Sequence, residues 1–199
     1  MRKKAVEIIS LVKEQLSSPA VIERYRAKVC DFTRERKLPF GKVAVLLLQG
    51  HKFPMQNALN KCAKALAEVA NVPTASAYCQ ARRKLQPELF VHLNEVVAQR
   101  YTELSRGDGS LRLWQGRRVL GVDGSYLNLP DTAETRREFS VQTNQHAAGA
   151  RVQALCSVLY DVLNHVGLAA GLARKRNEAE FVFESYLPQT VAELEDSVK

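Results

Sequence analysis

The chain has 199 residues, of which 46% are hydrophobic and 25% charged, and a formal net charge of +8. This is the composition of an ordinary soluble globular protein with room for one or two domains. The longest apolar run, Val43 to Leu48, is far too short to span a bilayer, and charges interrupt the N-terminus too early for a signal peptide. Four scattered cysteines argue against a disulfide framework or a zinc site. We therefore expect a cytoplasmic protein with no membrane segment.

The charge is unevenly distributed along the chain. Residues 1–118 contain 22 Lys and Arg against 10 Asp and Glu, a net charge of +12, whereas residues 119–199 carry −4. A basic surface gains affinity for DNA by releasing condensed counterions, although many basic proteins never bind nucleic acid. The asymmetry favours a polyanion-binding front half and a back half of a different kind.

The front half has helical periodicity. Apolar residues at three- and four-residue spacing predict a helix over residues 2–16, and a second that begins at Pro19 and extends to Phe32. A short buried helix is predicted at 43–48, and a longer helix from Pro87 to Leu104. Gly and polar residues at 106–110 then mark the predicted boundary between a helical domain, 1–110, and a second domain, 111–199.

A helix-turn-helix pattern lies inside the helical domain. A predicted helix over residues 57–70, a tight turn at 71–73 and a new helix capped by Thr74 or Ser76 give this arrangement. The simpler alternative is a helical hairpin whose basic face is only solvated. If the pattern is a helix-turn-helix, cations of the second helix would meet phosphates and Gln80 a base edge. The predicted DNA-contacting residues are Ser76, Gln80, Arg82, Arg83 and Lys84.

Asp123 interrupts an apolar run that predicts a buried strand over residues 119–129. A buried carboxylate needs a cation or a hydrogen-bond network, because burying it unpaired costs several kcal/mol. The alternative is that Asp123 caps a turn through Gly124. The following residues predict a short capped helix from Asp131 to Phe139.

The remaining pattern is mixed. Residues 142–149 are predicted to form a polar loop, and residues 151–160 and 165–173 two strands of a hairpin. Helices are predicted at 178–187 and 191–194. Together these features indicate an α+β protein, with an all-α domain followed by a mixed segment.

Several strings of this sequence resemble the DDE transposases of bacterial insertion sequences, and most closely insertion-sequence family four. The strings are VDGSYLNLPDT, ARVQALCSVLYDVLNHV and NEAEFVFESYLP, together with the pattern T-x-S-A-x-x-Q-A-R-x-K-L that begins at Thr74. The resemblance runs from about Asp31 to the C-terminus. It implies that Asp123 is the first of three catalytic carboxylates, on the first strand of a ribonuclease-H-like fold. It also implies phosphoryl transfer on double-stranded DNA at the ends of the element, with Mg²⁺ or Mn²⁺ as the cofactor and a second transposase copy as a partner.

The other two catalytic carboxylates of the family have no matching strings in this sequence. We therefore expect a truncated transposase that holds the incomplete first half of the ribonuclease-H-like domain and does not cleave DNA alone. Asp161 is the nearest substitute ligand, and a structural role is the more favoured interpretation. The alternatives are a non-catalytic DNA-binding module that inhibits full-length transposase, and a helical scaffold without a DNA role.

Overall fold

The computed structural model describes residues 2–34, 37–50, 54–65, 72–142 and 151–173. These residues form a mixed α+β structure, which confirms the predicted class. The chain divides into two compact units, Met1–Val97 and Ala98–Lys199. The helices of the described residues are α1 (Arg2–Ser17), α2 (Pro19–Tyr25), α3 (Phe40–Leu48), α4 (Met55–Ala65), α5 (Ala75–Arg82), α6 (Glu88–Gly107) and α7 (Ala133–Glu138). The strands are β1 (Leu120–Asn128), β2 (Ser140–Gln142), β3 (Arg151–Asp161) and β4 (Val166–Ala173).

The first unit is built around one hydrophobic core. Tyr78 of α5, Phe40 of α3 and Leu89 of α6 are each at most 2% exposed and belong to the same cluster. A Cβ on Gly41 would lie 3.3 Å from the carbonyl oxygen of Leu16, so the glycine allows α3 to approach α1 closely. These contacts explain why short, apolar α3 is a buried helix as predicted.

The second helix is shorter than the sequence predicts. It ends at Tyr25, and Arg26 is extended with φ −81° and ψ 143°. Arg26 forms an antiparallel bridge with Leu85, so pairing with a distant segment replaces the next helical turn. The prediction that this helix extends to Phe32 is therefore wrong, and the Val29 side chain beyond it is 79% exposed.

The second unit contains an antiparallel sheet. Among the described residues β3 is the central strand, with β1 on one side and β4 on the other, and short β2 pairs with the start of β3. The predicted hairpin of β3 and β4 is confirmed, and its turn contains His165 with a φ of 56°. The short helix α7 is confirmed, with reciprocal hydrogen bonds between Thr132 and Thr135 at its N-terminus.

β1 has the predicted position in the chain, but the prediction that it is buried is wrong. The strand is exposed at seven of its nine positions. Its main neighbour among the described elements is β3, which pairs with it along one edge. An apolar run favours extended structure, whereas burial depends on the layers that pack on the strand.

Some predictions lie outside the described residues. They are the helices at 178–187 and 191–194, most of the loop at 142–149, and residues 66–71 of the helix-turn-helix pattern. The predicted domain boundary at 106–110 also stays a prediction. Within the described ranges, no helix has both the length and the apolar character needed to cross a membrane.

Candidate nucleic-acid interface and acidic site

α5 is held at its N-terminus by two polar side chains. The Thr74 hydroxyl accepts the Ala77 N–H at 3.2 Å, which confirms a predicted cap. Gln56 of α4 accepts the Ala75 N–H at 2.9 Å and donates to the Pro73 carbonyl at 3.2 Å. Because one amide side chain bonds both donor and acceptor groups at the start of α5, it fixes how the chain enters that helix.

One face of α5 is polar and exposed. Ser76, Gln80 and Arg83 are exposed and recur at four- and three-residue spacing, which places them on one stripe. Tyr78 and Ala81 are buried on the opposite side. Gln80 Nε2 lies 3.4 Å from Ser76 Oγ, as this stripe requires. The predicted DNA-contacting residues Ser76, Gln80 and Arg83 thus lie together on the solvent side of the helix.

Arg82 lies at the side of this stripe. The residue is exposed, and its positive charge acts on buried Tyr78. Burial raises the pKa of the Tyr78 hydroxyl, and the nearby guanidinium of Arg82 opposes part of that increase. Arg82 therefore lies between the core and the solvent face, with its charge available at the surface.

Lys84 differs from the other predicted contact residues. Its ammonium lies 3.2 Å from Asp31 Oδ1, and the Asp31 side chain is only 9% exposed. Asp31 Oδ2 also accepts the backbone N–H of Lys28 at 3.1 Å. The positive charge of Lys84 therefore compensates a nearly buried carboxylate of its own unit, and its role as a DNA contact stays a prediction.

Asp123 lies in the middle of β1 and is exposed. Its Oδ1 accepts the N–H of Gly124 at 2.9 Å. Asp123 pairs with Val158 of β3 in the strand register, so the alternative in which it caps a turn is wrong. Side chains alternate across a strand, so Ser125 lies on the same face, as does Cys156 opposite it. An exposed carboxylate on a strand has lone pairs that an external ligand can reach.

Asp161 is the best-connected acid of the second unit. It is 0% exposed, and its Oδ2 accepts the Arg118 Nε–H at 2.7 Å. Asn164 Nδ2 donates to Asp161 Oδ1 and Oδ2 at 3.0 and 2.9 Å, and the Asn164 N–H donates to Oδ1 at 3.2 Å. The network continues outward, because Asn164 Oδ1 accepts the Arg112 N–H at 2.9 Å and the Asn164 carbonyl accepts the Tyr101 hydroxyl at 3.3 Å. Asp161 therefore joins the β3–β4 turn to the segment before β1.

Asp161 and Asp123 do not form one acidic site. Asp161 pairs with Leu120, three positions before Asp123 on β1. At about 3.4 Å per residue the two carboxylates are about 10 Å apart along the strand, and the odd spacing puts them on opposite faces. Both oxygens of Asp161 already accept hydrogen bonds. The favoured structural interpretation of Asp161 agrees with this geometry.

The described residues around Asp123 do not form a two-metal centre. In the part of the chain that the structure describes, no group of three His, Cys, Asp or Glu side chains could hold a metal ion. Two divalent ions need several oxygen ligands, and one carboxylate cannot supply them. Among the described residues, Asp123 therefore offers one anionic ligand.

Sequence reasoning missed two sets of interacting residues. Arg118 and Asn164 are the partners of Asp161, and Asp31 is the partner of Lys84. The only local signal was the Asp161-x-x-Asn164 spacing, which suits a polar side chain that closes a turn onto its own backbone. Arg118 and Asp161 are far apart in sequence, so no periodicity could link them.

Comparisons with models of known protein families, with curated proteins and with solved structures find no match to this chain. The transposase assignment therefore depends on the sequence strings given above and on the geometry of α5 and β1. It is accordingly a proposal.

Proposed function

We propose that this protein binds double-stranded DNA as part of an insertion-element transposase. In this proposal α5 is the DNA-contacting helix, and Asp123 is the first catalytic carboxylate. The observation that carries the proposal is the exposed polar stripe of α5, opposite a fully buried core face. The transposase strings supply the rest of the assignment.

The geometry of α5 supports a DNA contact. A helix that enters the major groove needs one face free of protein contacts, with cations for phosphates and an amide for a base edge. The stripe provides Arg83 for phosphate and Gln80, whose amide can bind the N6 and N7 atoms of adenine in a bidentate manner. The opposite face holds the helix rigidly in its unit through Tyr78 and Ala81.

The sheet supports the assignment of Asp123. The transposase resemblance implies a ribonuclease-H-like domain that starts with three consecutive strands, the first of which carries the catalytic acid. β1, β3 and β4 are three long antiparallel strands with Asp123 on the first, and the short helix α7 and short β2 come between β1 and β3 in the chain. The Asp123 carboxylate is accessible to an external ligand.

Mg²⁺ or Mn²⁺ would require ligands in addition to Asp123, and the described residues contain no group of three that could hold such an ion. This favours a second candidate function, a non-catalytic DNA-binding module that competes with full-length transposase for DNA ends or for dimer contacts. The specific observation behind it is that Asp161 is committed to Arg118 and Asn164 on the face opposite Asp123. Both candidates share the same DNA-contacting helix.

A salt series of DNA binding tests the shared part. Fluorescence anisotropy with a labelled random-sequence duplex of three helical turns gives the affinity between about 50 and 200 mM salt. The slope of log K against log salt concentration is negative, and each lost phosphate contact makes it less negative by about 0.9. The variant Arg82→Gln with Arg83→Gln should therefore make the slope less negative by about 1.8.

A charge-matched control separates contact from net charge. Lys3→Gln with Lys13→Gln removes two exposed cations of α1 and should leave most of the slope in place. Equal losses for both double variants, or no binding by the wild type, would contradict the assignment of α5.

A cleavage assay separates the two candidates. Addition of Mg²⁺ should produce no nicks with the wild type. Nicks that Asp123→Asn abolishes would instead decide for the catalytic candidate over the non-catalytic one.

A further inference from the structure

The segment after α2 forms a tied loop beside the end of α5. The loop consists of residues 27–30. The Ala27 N–H donates to the Lys84 carbonyl at 2.8 Å, and the Gln86 N–H donates to the Tyr25 carbonyl at 2.9 Å. Gln86 Nε2 adds a bond to the Arg26 carbonyl at 3.2 Å. These bonds hold the start of the loop against the residues that directly follow α5.

The other end of the loop is fixed by Asp31. The Asp31 N–H donates to the Lys28 carbonyl at 2.9 Å, while the Lys28 N–H donates to Asp31 Oδ2 at 3.1 Å. The Lys84 ammonium pairs with Asp31 Oδ1 at 3.2 Å. One carboxylate therefore closes the turn of the loop and ties it to the segment after α5.

The outer part of this loop is directed to solvent. Lys28 and Cys30 are exposed, and Val29 is 79% exposed. Lys28 follows Ala27 and Arg83 precedes Lys84, so each cation is one residue away from the Ala27–Lys84 hydrogen bond. The side chains of Lys28 and Arg83 thus start from neighbouring points of the surface.

We propose that the loop is a second DNA-contacting segment beside α5, in which Lys28 binds a backbone phosphate. Lys84 is then a positioning residue that holds the loop through Asp31 and does not itself contact DNA. The inference rests on the proposed DNA-binding function of α5. It replaces Lys84 by Lys28 in the set of phosphate contacts, because the charge of Lys84 is already compensated within the protein.

The loop has the properties that a phosphate contact needs. A cation on a pre-ordered loop loses less conformational entropy on binding than one on a free segment. Phosphate contacts carry no sequence preference, so Lys28 should add affinity evenly across sequences. An exposed lysine whose backbone alone is fixed keeps its ammonium free to reach the nearest phosphate.

The test uses the anisotropy salt series with the same random-sequence duplex. Lys28→Gln should make the slope less negative by about one unit and weaken binding to every duplex sequence alike. The double variant Asp31→Asn with Lys84→Gln replaces the ion pair by two amides and keeps the net charge. It should weaken binding, because the loop is less ordered, but in a protein that already carries Lys28→Gln it should leave the slope unchanged. A further change of about 0.9 in that background would show that Lys84 contacts a phosphate and would overturn the proposal.

The outcomes separate this inference from the function on which it rests. An unchanged slope for Lys28→Gln, together with a reduced slope for Arg83→Gln, would reject the loop and keep the DNA-binding helix. Unchanged slopes for both variants would reject the proposed function itself. Thermal melts of each variant verify folding. Lys28→Gln should fold like the wild type, because only the backbone of Lys28 takes part in the hydrogen bonds of the loop. It therefore remains decisive if the double variant does not fold.

Discussion

The core around α5 and the strand β1 contain similar apolar residues but differ greatly in burial. Leu89 and Phe40 of the first unit are 0% and 2% exposed, whereas Val122 and Tyr126 of β1 are 41% and 48% exposed. The helices of the first unit cover one another, while β1 has β3 as its main neighbour among the described elements. Apolar content therefore predicts the type of element, and the number of packed layers decides its burial.

The two regions also use carboxylates differently. In the second unit, both oxygens of buried Asp161 accept hydrogen bonds from Arg118 and Asn164. Asp123 on exposed β1 instead accepts the N–H of the next residue, Gly124. A buried acid requires a partner to offset its desolvation, and an exposed acid does not. The exposed carboxylate is therefore the one available for a ligand.

The largest effect is expected from breaking the network of Asp161. Arg118→Met leaves a fully buried carboxylate without its cation, which should lower the free energy of unfolding by about 3–5 kcal/mol. Urea unfolding followed by the fluorescence of Trp114, the only tryptophan of the chain, measures this in the second unit. Arg151→Met, at an exposed arginine of β3, is the matched control and should change stability by less than about 0.5 kcal/mol. Equal losses for the two variants would contradict the assigned network.

The next prediction compares the two apolar regions directly. Leu89→Ala creates a cavity in the first core and should cost about 2–5 kcal/mol, measured by urea unfolding with helical circular dichroism. Val91→Ala, 53% exposed on the same helix, is its control. Val122→Ala in β1 should cost less than about 1 kcal/mol, measured by Trp114 fluorescence, because much of its side chain is already in water. A loss at Val122 as large as that at Leu89 would mean that β1 is covered in solution.

Much of the fold could be predicted from local pattern. Helical periodicity located α1 and α6, and a strongly apolar run located α3. The hairpin of β3 and β4 was recognisable from two β-rich runs around a turn. The early end of α2 was not, because the bridge between Arg26 and Leu85 joins residues far apart in sequence.

The candidate site was predictable only where it depends on one element. The polar stripe of α5 follows from helical spacing, so Ser76, Gln80 and Arg83 were identifiable as neighbours. The pairing of Lys84 with Asp31 and the exposure of Asp123 were not, since both depend on how distant segments pack. Lys28 carried no signal in the sequence because its position beside α5 comes from contacts with residues far away in the chain.

The smallest predicted effect concerns Tyr78 of the helical core. Burial raises the pKa of its hydroxyl above the ordinary value of 10.0. The unfolded state then loses this proton at a lower pH than the folded state, so stability present below about pH 10 should decrease as the pH rises towards the folded pKa. Tyr78→Phe removes the hydroxyl and with it this pH dependence. The unfolding free energy of the variant should therefore fall less steeply above pH 10 than that of the wild type, measured by urea unfolding with helical circular dichroism.

The control is Tyr126→Phe, in exposed β1. Its unfolding free energy should fall as steeply above pH 10 as that of the wild type, because Tyr78 is still present. Identical alkaline slopes for all three proteins would show that the Tyr78 hydroxyl is not held in the buried core.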